Sequence, residues 1–154
     1  MKLNETLTLE GDPHQANTRP KYKKPERFIQ KEIGKTASPA TPPFTPVNLP
    51  SKNISMTLVV LEPGQLTELV RHTYEVILYI LEGKGYTEIE GEEVEWQSGD
   101  ALYIPNWAWH CHQNLDMNHT AKFIACDNYL QLHQLGLALK EVEGKNTMHF
   151  TEIP

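Results

Sequence analysis

The 154-residue chain has the length of one domain, and an apolar content of 39% is enough for a single buried core. Its net charge of −6 argues against a nucleic-acid partner, because phosphate binding needs a basic face. No apolar run approaches the ~20 residues that span a membrane, and the first ten residues lack the apolar stretch of a signal peptide. A cytoplasmic protein is therefore expected, with Cys111 and Cys126 as thiols rather than as a disulfide framework.

Residues 1–35 are polar and mixed in charge, with a short helical segment predicted at 26–32, entered through Pro25. The basic stretch from Arg19 to Arg27 is interrupted by Pro20 and Pro25 and reads as a solvated arm. From Thr36 to Pro50 the prolines exclude helix and central strand alike. That segment is an extended arm, laid over the folded body or a neighbouring subunit, or a flexible leader.

Strand patterns then follow one another closely. Residues 53–61 form the first core strand, 65–71 resume after the Pro63-Gly64 turn, and 76–81 follow His72-Thr73-Tyr74. Residues 86–89 and 92–96 pair as a hairpin across Glu90-Gly91. After Ser98-Gly99-Asp100 come 101–104, 107–112 and finally 121–126. Short, regularly spaced strands separated by turns indicate an all-β sandwich or barrel. Beyond Asp127 the period changes. Leu130, Leu132, Leu135, Leu139 and Val142 approximate one helical face, with Asp127 or Asn128 as N-cap and Gly144 as stop. Residues 148–154 read as a tail with room for a short edge strand. The organisation is an arm (1–50), a barrel (51–127), and a helix with a tail (128–154).

Two glycine-punctuated blocks frame the centre: P-G-Q-L-T-E-L-V-R-H-T-Y-E-V-I-L-Y-I-L-E-G at 63–83, and G-D-A-L-Y-I-P-N-W-A-W-H-C-H-Q-N at 99–114. Together they resemble the paired motifs of the cupin superfamily. Gly64, Gly83 and His72 match the first motif, while Val70 stands at its first histidine and Val76 at its glutamate. Gly99, Pro105, His110 and Asn114 match the second, with Trp107 where a glycine is usual. Among cupins the two blocks look most like gentisate 1,2-dioxygenases and their salicylate-cleaving relatives, a branch that also lacks the glutamate. Those relatives are usually longer, with two cupin units; this sequence holds one. The resemblance implies an all-β cupin barrel (a double-stranded β-helix, jelly-roll-like), with a Pro-rich N-terminal arm and a short C-terminal helix. It also implies a homodimer, since small cupins commonly pair their barrels.

In that branch Fe(II) is held by two histidines of the first motif and one of the second. His110 and His112 are two apart, which on a strand puts both on one face and Cys111 on the other. With His72 from a facing strand they make a metal site, His112 standing in for the ligand absent at Val70. Fe(II) is the leading candidate, and Zn, Mn, Ni and Cu also accept imidazole-rich sites. The competing reading is a polar pocket without metal, because neighbouring imidazoles on one strand must both reach an ion at ~2.1 Å.

Glu68 shares the face of Val70 and His72, as a pocket acid or as a solvated edge residue, and Glu75 is a second, shifted carboxylate or a loop residue. Tyr103 and Trp107, with Tyr79 and Trp109, offer aromatic surface for a planar ligand, or else core and dimer contacts. Arg71 points away from His72. Asn114 is expected to bond within its loop. The leading expectation is a mononuclear metal-dependent cupin of dioxygenase type acting on a small aromatic or carboxylated substrate. The alternatives are a metal-free barrel binding a small molecule as sensor or carrier, and a metal-dependent isomerase or lyase that does not use O₂.

Overall fold

Strict alternation along residues 76–81 sets the architecture: Val76, Leu78 and Ile80 are buried while Ile77, Tyr79 and Leu81 face outward. The computed structural model describes residues 43–145. Among them are β1 (Phe44–Pro46), β2 (Ser55–Leu61), β3 (Val70–His72), β4 (Val76–Glu82), β5 (Lys84–Ile89) and β6 (Glu92–Gln97). There follow β7 (Ala101–Ile104), β8 (His110–Asn114), β9 (Ala121–Asp127), α1 (Tyr129–Gln134) and β10 (Lys140–Val142). The strands form two five-stranded antiparallel sheets, ordered β1-β2-β9-β4-β7 and β10-β3-β8-β5-β6. This is the two-sheet all-β barrel expected from the sequence.

The core lies where the two inner faces meet. Leu61, Leu78, Ile80, Ile104 and Phe123 are at most 1% exposed, and each contributes about 1.5–3 kcal/mol by burial. Trp96 enters from the opposite sheet and meets Phe123 edge-on, with centroids 6.0 Å apart. The β5–β6 turn is the predicted Glu90-Gly91 pair, both with positive φ (51° and 82°), as a type I′ hairpin requires.

Both segments flanking 51–127 contribute strands. β1 comes from the Pro-rich arm and pairs with β2 as an edge strand, a position that tolerates Pro46. β10 corrects the helical reading of 128–142. The helix spans only Tyr129–Gln134, and Gly136 at φ 70° turns the chain out of it. The chain then returns as β10, pairing Lys140 with His72 and Val142 with Val70. The helix predicted at 26–32 and the tail at 148–154 lie outside the described residues.

Two strand boundaries also move. Residues 65–69 touch β8 through an isolated bridge between Leu66 and Gln113, and regular pairing begins only at Val70. Thr67 explains the irregularity: its amide donates to His112 O, while its hydroxyl accepts the His112 amide in place of a ladder carbonyl. The strand expected from 107 starts at His110, because Trp107 is held at φ 62°. A left-handed residue there explains why the motif usually carries glycine at this point.

Asn114 is fully buried and works as a loop staple. Its amide nitrogen donates to the carbonyls of Leu61, Glu62 and His119, and its Oδ1 accepts the Asp116 amide. No helix among the described residues is long and apolar enough to cross a membrane.

Gly85 offers a test of the packing. A Cβ there would lie 2.1 Å from Gln113 O and 2.5 Å from the Trp96 ring, so two elements would have to part. Gly85→Ala is expected to destabilise the fold by about 3 kcal/mol in urea unfolding. An unchanged midpoint would show that β5 and β8 do not approach this closely.

Candidate functional site

The inner faces of β3, β8 and β10 carry polar side chains where the rest of the core is apolar. His72, His110 and His112 are all buried, and they line a cavity of about 620 Å³ between the two sheets. The alternation predicted for β8 holds: His110 and His112 face the cavity, and Cys111 is a free, buried thiol absent from the cavity wall. Val59, Leu78, Ile104 and Phe123 form the apolar wall opposite. Phe44 and Leu66 also line the cavity but are 43% and 55% exposed, which marks its mouth.

Each histidine ring is held by its surroundings. His72 Nδ1 lies 2.7 Å from Tyr74 O, and His110 Nδ1 lies 2.9 Å from Ala108 O. A carbonyl oxygen only accepts, so Nδ1 carries the proton in both rings and the lone pair of the neutral imidazole resides on Nε2. Tyr74 stacks flat on His72, with centroids 3.8 Å apart at 3°. The rings of His72 and His110 meet edge-on at 4.8 Å, and those of His110 and His112 lie 5.7 Å apart. His112 Nδ1 is 2.9 Å from Thr87 Oγ1, which also accepts the Trp96 indole N–H at 3.0 Å. The Thr87 hydroxyl can donate to His112 or accept from it.

Burial dominates the electrostatics. Desolvation, followed by the neighbouring His110, pushes His72 down to about 3. Desolvation, then His110 and His72, brings His112 to about 3 as well. His110 is lowered by burial, against the support of its Ala108 hydrogen bond. All three rings are therefore neutral at ordinary pH, the form in which imidazole ligates a metal. By donor chemistry, the His72–His110 pair fits a divalent transition metal, with the Nδ1–H···O=C bond that orients metal-ligating histidines. Among the described residues, no three His, Cys, Asp or Glu side chains converge into a closed metal-holding cluster.

The other sequence candidates are dispersed. Glu68 lines the cavity at its rim, largely exposed and ion-paired with Lys145 at 2.5 Å. Val70 lines the cavity and pairs in register with His110. Tyr103 lies on the outer face of β7, half exposed, where its hydroxyl donates to Glu75, so neither reaches the cavity wall. Trp107 is also outside the wall. Its left-handed backbone turns the ring towards Arg71, whose guanidinium sits 4.4 Å from Trp107 and 4.7 Å from Trp109 and pairs with Glu141. Tyr103 and Trp107, expected as ligand contacts or else as core and dimer contacts, thus both lie outside this cavity wall.

Sequence reasoning missed Tyr74, Asp127 and Lys140, all on the cavity wall. Burial raises Asp127, whose carboxylate accepts from the Ser55 hydroxyl and the Tyr129 amide. Burial also raises the Tyr74 hydroxyl well above its ordinary value. The period of two through T-Y-E-V was the available signal for Tyr74. For Lys140 only the breaking residue Gly136 hinted that no helix reached it.

Residues 57–126 match the model of the Cupin domain family. The chain is 35% identical over 63 residues to the 5-aminosalicylate 1,2-dioxygenase of Comamonas sp, covering 41% of this chain and 17% of that protein. It is 30% identical over 115 residues to a gentisate 1,2-dioxygenase of Haloferax sp, covering 70% of this chain and 30% of the relative. It thus spans less than a third of the length of either. The salicylate 1,2-dioxygenase of Pseudaminobacter salicylatoxidans superposes with a TM-score of 0.62 at 19% identity, over 69% of this chain and 33% of that one. A protein of Thermus thermophilus superposes at 0.56 and 21% identity, over 66% of this chain and 97% of its own. At these identities the two structures attest the fold alone.

The depressed histidines predict an acid-sensitive fold. Between about 6.5 and 3 the unfolded chain binds protons at His72 and His112 that the folded chain refuses, so stability rises with pH across that window. For chelator-treated protein the thermal midpoint is expected to fall as pH drops below about 6.5, on the order of 1 kcal/mol per histidine per pH unit. His112→Asn should flatten the slope. A midpoint indifferent to pH over that range would show that the rings are not held neutral.

Proposed function

The chain belongs to the cupin superfamily, and from that premise we propose that it is a mononuclear metal-dependent enzyme of dioxygenase type acting on a small aromatic or carboxylated substrate. The observation that carries this reading is the pair of buried neutral imidazoles, His72 and His110, each with Nδ1 committed to a carbonyl and Nε2 left as the ligating nitrogen. His112, next on the same strand face, is the third donor. The similarity to salicylate- and gentisate-acting dioxygenases supports the substrate class.

The bound metal, Fe(II) by preference over Zn, Mn, Ni or Cu, supplies Lewis-acid polarisation of substrate oxygens and, as iron, redox access to O₂. The chain's own residues do the rest. Tyr74 fixes the plane of His72 by stacking, and the Tyr74 and Ala108 carbonyls fix both tautomers. Leu78, Ile104 and Phe123 exclude water from the reacting face and give a flat ring an apolar wall. Exposed Ile77, Tyr79, Leu81 and Tyr103 share the outer face of β4 and β7 and support a homodimer.

A second reading, a metal-free barrel that binds a small molecule, is favoured by Val70 opposite His110 and by the absence of a closed three-donor cluster among the described residues. Elemental analysis of anaerobically purified protein separates the two. Near one equivalent of transition metal is expected, lost in His72→Ala and His110→Ala, with O₂ uptake on hydroxybenzoates by the iron form. Val70→His, which adds an imidazole beside His110, should raise metal affinity about tenfold or more. No stoichiometric metal even after reconstitution would sink the enzyme reading in favour of the binder. Metal without O₂ uptake would point to an isomerase or lyase.

A further inference from the structure

Lys140 is the one cation on the cavity wall among the described residues. It sits on the inner face of β10, in register with His72, and its charge is felt by both His72 and His110. The nearby carboxylates are otherwise engaged. Glu68 bonds Lys145 at 2.5 Å, and Asp127 accepts from the Ser55 hydroxyl and the Tyr129 amide. Among the described residues no carboxylate forms an ion pair with Lys140. An ammonium so placed, largely withdrawn from water, feels the charge of Glu68, but that carboxylate is already paired with Lys145.

We propose that Lys140 is the anchor for the carboxylate of the cavity's ligand, and that the ligand is a monocarboxylate with a flat apolar body. The geometry matches that chemistry. With Glu68 paired to Lys145 and Asp127 held by the Ser55 hydroxyl and the Tyr129 amide, the Lys140 ammonium is left to meet one added negative charge, whereas a phosphate dianion calls for a cluster of donors. Opposite Lys140 the wall turns apolar at Leu78, Ile104 and Phe123, where a ring would lie. The cavity's volume, about 620 Å³, suits a small-molecule ligand. This inference rests on the proposed function only for the aromatic class of the ligand; the anchoring role stands whether or not O₂ is used.

The test measures binding of 2-hydroxybenzoate and its uncharged amide by calorimetry, using the full chain and its Lys140→Met and Lys140→Arg variants, each checked for folding by thermal unfolding. The wild type is expected to prefer the acid by about tenfold or more, the size of a hydrogen bond to a charged group. Lys140→Met should abolish the preference while still binding the amide, and Lys140→Arg should retain it. A preference that survives in Lys140→Met, an absence of preference in the wild type, or failure of the wild type to bind either compound would overturn the proposal. Oxygen uptake on the acid that is insensitive to Lys140→Met would leave the dioxygenase reading intact and remove the anchor. Lysine-dependent binding without oxygen uptake would do the reverse.

Discussion

Keeping three imidazoles uncharged and oriented inside one barrel is the constraint on which the rest of this structure depends. A buried ring nitrogen without a partner costs on the order of 1–3 kcal/mol, and a buried charge costs more. The fold answers with one partner for each Nδ1: the Tyr74 carbonyl, the Ala108 carbonyl and the Thr87 hydroxyl. These come from three different places in the chain, so the turn between β3 and β4, β5 and the turn before β8 must all keep their positions. The irregular approach of residues 65–69 belongs to the same arrangement, since Thr67 holds His112 in place by both its amide and its hydroxyl.

Much of the fold could be read from the chain because its signals are local. Alternation through Val76, Leu78 and Ile80, the Glu90-Gly91 turn, and the glycines between strands each act within a few residues. The failures occurred where a distant partner decides the outcome. Residues 140–142 carry an apolar spacing compatible with a helix, yet the open edge at Val70–His72 takes them as a strand. Phe44–Pro46, read only as part of an extended arm, pair with β2 because an edge strand leaves some amides unpaired. Neither partnership is visible in a window of ten residues.

The site was legible in part for the same reason. His110 and His112 follow from a period of two, and His72 from its place late in the preceding strand block. The aromatic candidates were less legible, because Trp107 sits at a corner with a left-handed backbone, which breaks the phase on which alternation depends. Tyr103 lies on the outer face of β7, which the residue type alone does not tell. Lys140 lay hidden because it reaches the cavity only through the strand that the helical pattern concealed. Tyr74, two residues beyond His72, looked like a turn residue, and its ring folds back as a lid on the imidazole.

The chain from Trp96 through Thr87 to His112 has a consequence beyond packing. Trp96 is 4% exposed, its indole N–H ends on the same hydroxyl that touches His112, and its ring lies against Phe123. The other two tryptophans of the chain sit beside the Arg71 guanidinium on the outside of the barrel. The protein thus holds one indole wired to the cavity and two turned away from it. Its ultraviolet emission therefore includes one buried indole whose hydrogen-bond partner is shared with His112, so a change at His112 reaches that fluorophore directly.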